Sequence, residues 1–393
     1  MYRVLASAVN HPDPVKPFMT LFNHEIVRAI SKTDVSLDVV VPRPHAPPIG
    51  PYSDYAAIPE RDDWGTYTVH HPRFLYLLPK ALFFGLAGRS LQRRLNDYIE
   101  ANFQTPDIVH ACQIYLDGYG VMPYCEDHDV PFVVVAHGEP FNQFDSLQSG
   151  IQRKMLRTLE SCSKVLCVSE ALADQARTMV PDSKVAQVPI GASPERYPND
   201  RKAVLRQEMD ISPETTVVLF VGQFIERKGI REIIEVLPEL DLPDTLFVFI
   251  GWGGDLKWPL QKALFRSDFT ARHVYMSITS LALRRWFVMA DLFMLPSHQE
   301  GRPTVIYEAM ASRTPVLGSN VDGIPEQVVD GETGVLIPSQ DSDALADGLR
   351  SLVDDRERLE RMGASGYDRL LGEGWTWSEH ANRVRAIHEE VMG

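Results

Sequence analysis

The stretch that decides the fold runs from Leu295 to Pro338 and reads LPSHQEGRPTVIYEAMASRTPVLGSNVDGIPEQVVDGETGVLIP. An apolar run ends at Leu295, a short polar loop carries Glu300 and Gly301, and Pro303 stands where the first turn of a helix tolerates a missing N–H. The helix is expected to reach about Ser312. Its first turn offers unpaired N–H groups at the positive end of a dipole, a setting suited to phosphate. Glu300 falls just outside that turn and Glu308 about one turn inside it. Carboxylates beside a phosphate site make sense for a nucleotide sugar, whose hydroxyl groups can donate to them. On spacing alone, both glutamates read equally well as helix-start and solvated helix residues.

Outward from this stretch, short apolar runs alternate with helical patterns along the chain, as in βαβ units around parallel sheets. Tyr2–Val9, Leu37–Pro42, Ile108–His110, Pro131–Ala136 and Val165–Val168 read as strands of one domain, with Phe22–Ile30, Leu91–Phe103 and Ile151–Ser161 as its helices. A second series comprises Thr216–Val221, Thr245–Gly251, Leu292–Leu295, Pro315–Gly318 and Gly334–Ile337. Between them Ile190–Asp200 (IGASPERYPND) is rich in Gly and Pro and reads as a linker. The proline-rich stretch Arg43–Asp63 reads as a long loop. The expected division is 1–190, a linker 191–200, 201–372 and a final segment 373–393.

The 295–338 stretch resembles the signature of glycosyltransferase family four, a pattern EGxPxxxxEAMAxxxPV followed by GIPE and GxxG. Its literal elements are Glu300-Gly301, Pro303, Glu308-Ala309-Met310-Ala311, Pro315-Val316, Gly323-Ile324-Pro325-Glu326, Gly331 and Gly334. Arg313 and Thr314 replace the usual glycine before Pro-Val. The resemblance extends to VGQFIERKGI, residues 221–230, where the family has Gly-Arg…Lys-Gly; here the arginine is Gln223, leaving Lys228, with Arg227 as a second cation. In the other half, VVVAHGEP (133–140) and DIVHA (107–111) are similar to family strands that end in histidine. The loop Asn10–Pro14 lacks the family's adjacent glycines, and Ile190-Gly191-Ala192-Ser193 replaces its Asn-Gly-Val-Asp.

The resemblance implies two Rossmann-like doubly wound domains facing each other across a cleft, the GT-B architecture. The segment 372–391 (GEGWTWSEHANRVRAIHEEV) would be a C-terminal helix that crosses back to the first domain. It implies a retaining transferase in which Glu308 binds the donor's ribose, Glu300 contacts the transferred sugar and Lys228 neutralises the diphosphate. The implied donor-binding set is Gly222, Arg227, Lys228, Gly301, Pro303, Thr304 and Glu308; His137, Lys228 and Glu300 stand at the reacting centre. No metal or other cofactor is expected. The single Asp-x-Asp, Asp341–Asp343, sits at a helix start, where Asp is an ordinary cap. Two other readings fit the same residues: a nucleotide-sugar epimerase of this architecture, and a catalytically silent sugar-nucleotide-binding protein.

At 393 residues the chain is large enough for two domains. Lys+Arg 39 against Asp+Glu 53 gives a net charge of −14, which argues against nucleic acid as a partner. Four cysteines without metal-ligand spacing fit a reducing, cytoplasmic setting, and the first residues do not read as a secretory signal. The most apolar stretch, Phe74–Gly88, is broken by Pro79 and Lys80 and falls short of a membrane span. Arg73, Lys80, Arg89, Arg93 and Arg94 surround it, so residues 73–94 read either as an anionic-membrane contact or as a core helix with a solvated basic end. The expected partners are a nucleotide-sugar donor and a glycan or lipid-linked acceptor.

Overall fold

Apolar, β-branched runs buried on both faces become the central parallel strands, which explains why they read as continuous rather than alternating. The structure, a computed structural model, describes residues 1–15, 21–45, 50–75, 80–138, 140–266, 271–276 and 278–393. Two compact units emerge: Met1–Ile190 with Trp377–Gly393, and Gly191–Thr376.

The first unit contains strands β1 (Tyr2–Ser7), β2 (Val35–Val40), β3 (Arg43–His45), β4 (Arg61–Asp63), β5 (Thr68–His70), β6 (Arg73–Leu75), β7 (Ile108–Ala111), β8 (Phe132–Ala136), β9 (Lys164–Cys167) and β10 (Val185–Gln187). Eight of them form one sheet in the order β10-β9-β8-β7-β1-β2-β5-β4, all parallel except β4 on β5; β3 and β6 pair separately. The order reverses between β1 and β7, a topological switch point at which loops from the strands' C-terminal ends converge. The C-terminal helix, Trp377–Met392, belongs to this unit. His388 joins Tyr2 (3.2 Å) and His110 (3.1 Å), while His380 Nδ1 donates to the Pro189 carbonyl at 2.9 Å. It begins five residues later than the motif alone suggests, because the preceding helix runs on to Gly372 and Gly374 turns the chain at φ 63°.

Three stretches read from the sequence take a definite form here. Arg43–Asp63 is not a loop: its described residues supply β3, a 3₁₀ turn Gly50–Ala57 and β4. Ile190–Asp200 is not a free linker, since Gly191 packs on the Trp375 backbone, Ala192 bridges Thr376, and Tyr197 is buried. In the helix Lys80–Asn102, Leu91, Leu95 and Ile99 are buried while Arg89, Arg93 and Arg94 are exposed. From Gly88 onward the stretch is a core helix with a solvated basic face; the side chains of 75–87, on which the membrane reading of 73–94 rests, lie outside the described residues. No helix among the described residues is long and apolar enough to cross a membrane.

The second unit contains β11 (Thr216–Val221), β12 (Thr245–Gly251), β13 (Ala271–Met276), β14 (Leu292–Leu295), β15 (Val316–Ser319) and β16 (Gly334–Ile337). They form a fully parallel sheet in the order β13-β12-β11-β14-β15-β16, so this unit's switch point lies between β11 and β14. The helix Ser342–Val353 follows β16, and Asp341 caps it by accepting from Ala344 N at 2.9 Å.

Candidate active site

In the second unit, the loops leaving β11 and β14 flank the switch point. After β11 the chain passes Gly222 into a single turn, Glu226–Lys228, and reverses at Gly229 with φ 71°. A Cβ on Gly229 would lie 2.0 Å from the Pro296 carbonyl oxygen, so only glycine lets this turn rest on the residue that follows β14. The two loops are then stitched together. His298 N donates to the Arg227 carbonyl at 2.8 Å, and Arg227 Nη1 donates to the Gln299 carbonyl at 3.2 Å.

This stitching places the Lys228 ammonium on the Glu300 carboxylate, an ion pair between residues 72 apart in sequence with side chains 16% and 8% exposed. Ser297 Oγ donates to the same Glu300 oxygen at 2.7 Å, and the Glu300 amide donates to Asp322 Oδ2 at 2.8 Å. A Cβ on Gly323 would meet the Gly301 carbonyl oxygen at 2.1 Å, so the loop after β15 also lies against the site. His298 Nε2 meets Glu232 at 2.9 Å behind the pair.

The motif helix is Thr304–Ala311, with Pro303 immediately before it. Ile306, Tyr307, Ala309 and Met310 are buried, and the helix packs on the helices Arg356–Gly372 and Ser280–Met289. Pro303 contributes its carbonyl, which accepts from Gln327 Nε2 at 3.2 Å. Glu308 is half-buried and accepts from the Tyr197 hydroxyl at 2.8 Å; burial first, then the Glu308 charge, pushes that phenol's pKa well up. Arg302 is buried against the Tyr307 hydroxyl, pairs with Glu326 at 2.7 Å and stacks 4.9 Å over the Trp375 ring.

Of the residues expected to bind a donor, Lys228 reaches Glu300 directly; Gly222 and Arg227 lie on the same loop as Lys228, Gly301 and Pro303 follow Glu300 in its own loop, and Thr304 and Glu308 lie on the motif helix. The cation missing at Gln223 is not replaced freely by Arg227, whose guanidinium is tied to the Gln299 carbonyl. Sequence reasoning missed Ser297, Asp322, Arg302 and Tyr197. Tyr197 lay in the stretch read as a linker, and an aromatic residue among Pro and Gly was its one signal.

His137 belongs to the first unit, where it follows β8 and packs 4.8 Å from the Phe22 ring. Burial, reinforced by His380, lowers its pKa to about 3 against a hydrogen bond to the Cys112 backbone. At this unit's switch point, side chains rather than glycines hold the loop after β1. Buried Arg43 pairs with buried Asp13 at 2.8 Å and donates to the carbonyls of Val9 (2.6 Å) and His11 (2.5 Å). From the β7 side, Asp117 Oδ1 accepts from Ser7 Oγ (2.9 Å) and Val9 N (2.7 Å), while burial pushes its carboxyl up to about 7.

Two doubly wound units, with the signature helix and its carboxylates at the switch point of the second, define a glycosyltransferase of GT-B architecture. The chain belongs to the glycosyltransferase family four proteins: the model for Glycosyltransferase Family 4 matches residues 20–196, and that for Glycosyl transferases group 1 matches 202–369. TuaC of Bacillus subtilis (strain 168), a glycosyltransferase provisionally assigned to teichuronic acid biosynthesis, is 27% identical over 348 residues, 86% of each chain. Among solved structures, sucrose-phosphate synthase from Thermosynechococcus elongatus superposes with a TM-score of 0.82 at 18% identity, covering 100% of this chain and 99% of that one. Anabaena HepE in complex with UDP-glucose superposes with a TM-score of 0.74 at 15% identity, covering 99% and 100%.

Proposed function

We propose that the chain is a retaining glycosyltransferase that moves a sugar from a nucleotide diphosphate sugar to a hydroxyl acceptor, a glycan or a lipid-linked one. The observation that carries this reading is the convergence of Lys228 and Glu300 beside the start of the motif helix at the switch point of the second unit. A similarly folded protein, HepE, holds UDP-glucose, which supports a nucleotide-sugar donor.

In this reading Lys228 exchanges Glu300 for the donor's diphosphate, and Glu300, released, accepts hydrogen bonds from hydroxyls of the transferred sugar. Glu308, held by Tyr197, receives the ribose hydroxyls. The N–H groups from Thr304 onward add the positive end of the helix dipole to the charge that develops on the leaving group. Catalysis is then mostly positioning and preorganised electrostatics, with no metal required. His137 and the loop fixed by Arg43 serve the acceptor side, in the first unit. In the same reading the reaction runs on the cytoplasmic side of the cell.

Thermal shift across a panel of nucleotide sugars identifies the donor, since a ligand of the folded state raises stability. Labelled donor with and without lipid extract then tests the reaction. Product with the anomeric configuration of the donor supports the proposal. Epimerised donor, or binding without turnover, overturns it.

A further inference from the structure

Among the buried hydroxyls of the second unit, Ser297 is set apart by its partner. Most side-chain hydrogen bonds in a folded chain go to backbone groups or water, and Ser312, Thr314 and Ser319 do this by donating to the carbonyls of Glu308, Phe287 and Ser297. Ser297 instead gives its one proton to a carboxylate, Glu300 Oε1, at 2.7 Å. The serine is fully buried two residues beyond β14, and its backbone is fixed from the next two strands: its carbonyl accepts from Ser319 Oγ at the end of β15 and from Ser339 Oγ, just past β16, at 3.4 Å. The hydroxyl is therefore aimed before any ligand arrives. The main chain of Glu300 is held separately, its amide donating to Asp322 Oδ2.

Lys228 and Ser297 both donate to Oε1, and among the described residues no donor reaches Oε2. When Lys228 turns to a diphosphate, its ammonium leaves Glu300, and Ser297 is the one side-chain donor that stays on the carboxylate. A carboxylate only 8% exposed is costly to keep ionised without a donor, and the terminal torsion of a glutamate is broad, so an unheld group would turn. One charge-assisted bond from a preset hydroxyl prevents both. It fixes Oε1 and leaves Oε2 to meet an incoming sugar hydroxyl.

We propose that Ser297 is a positioning residue that keeps Glu300 aimed at the transferred sugar once Lys228 has moved to the diphosphate. This rests on the donor reading above, in which Lys228 and Glu300 part when a nucleotide sugar binds, and adds the group that holds the carboxylate afterwards. Ser297 makes no hydrogen bond to Arg227, Lys228 or Glu308, so the groups read as holding the diphosphate and the ribose keep their places without it. Its effect belongs to the sugar.

Steady-state kinetics with the nucleotide sugar that the wild type turns over fastest, and calorimetry with its bare nucleoside diphosphate, test this on the full chain. Ser297→Ala should lower kcat/KM for the nucleotide sugar roughly 10-fold or more, the scale of one hydrogen bond to a charged group, while the Kd of the bare nucleoside diphosphate stays within about twofold of the wild type. Ser297→Cys, which fills the same space with a weak donor, should reproduce the loss without opening a cavity. In a Glu300→Gln background, Ser297→Ala should change kcat/KM by less than about twofold, because the carboxylate it positions is gone. A parallel fall for the nucleotide sugar and the bare diphosphate, or additive losses in the double variant, would mark a merely structural role and overturn the proposal. So would full activity in both Ser297 variants. A wild type that turns over no nucleotide sugar overturns the donor reading itself, and this proposal with it.

Discussion

Acid should unfold the first unit before the second. Ten of the twelve histidines lie in residues 1–190 and 377–393. Burial, the largest cause in each case, holds His11 and His137 near a pKa of about 3 and His71, His380 and His388 near about 4. Arg43 adds to the effect at His71. A base whose pKa is depressed by folding takes up its proton earlier in the unfolded chain, so stability is complete above about pH 6.5 and is lost as pH falls toward 4. Between about pH 7.5 and pH 5 each such histidine costs ~2 kcal/mol, or ~10 kcal/mol for the five. Asp117 works in the opposite direction: its carboxyl, raised to about 7, binds a proton in the folded state first and returns ~2.5 kcal/mol over the same range. The net loss of roughly 8 kcal/mol is comparable to the whole stability of a domain. Hydrogen exchange read by mass spectrometry, with urea unfolding at both pH values, measures this directly. Amides of β1, β7 and β8 should lose protection at about pH 5 while those of β11, β12 and β14 retain it. Equal protection in both units at acidic pH, or earlier loss in the second, would refute the reasoning. Replacing His71 by Gln should flatten the dependence by one proton.

Three further outcomes follow from the site. Lys228→Ala should lower kcat/KM by roughly 10²-fold or more, and also cost about 3 kcal/mol of stability by stranding the buried Glu300 charge. Adding Glu300→Gln should restore the melting temperature without restoring turnover, whereas Gln223→Arg should leave activity equal or improved. Glu308→Ala should raise the donor KM and cost about 1 kcal/mol through the Tyr197 hydroxyl, measured by steady-state kinetics beside a thermal melt. Activity should survive excess EDTA; a loss restored only by Mn²⁺ or Mg²⁺ would count against a diphosphate held by Lys228 and the helix start.

The second unit was legible because its motif joins glycines that admit close backbone approach, Gly229 and Gly323 among them, to the carboxylates Glu300 and Glu308. The central strands were legible because burial on both faces leaves continuous apolar runs such as FVVVA (132–136) and TVVLFV (216–221). Three-residue strands such as β4, β5 and β10 carry too few residues for a period to register. Composition misled at Ile190–Asp200, where Gly and Pro suggested a linker while Tyr197 and Asn199 tie the segment to the motif helix. Arg43 was invisible as an organiser of the first-unit switch point, because its partners Val9, His11 and Asp13 lie some thirty residues away and bond mainly through backbone carbonyls. Lys228 and Glu300 were both chosen from sequence, but their mutual pairing depends on which strands are neighbours, which no local pattern encodes.

The two glycine contacts described above also bear on how such enzymes can be recombined. Because Gly229 sits on Pro296 and Gly323 on Gly301, the segments 222–230, 296–303 and 320–323 behave as a single cassette, held by backbone contacts with no slack for a methyl group. Transplanting one segment from a relative with different spacing would displace the other two. Specificity exchange between members of this family should therefore succeed when all three travel together, and homologous crossovers within the chain should be tolerated best before residue 216 or after residue 338.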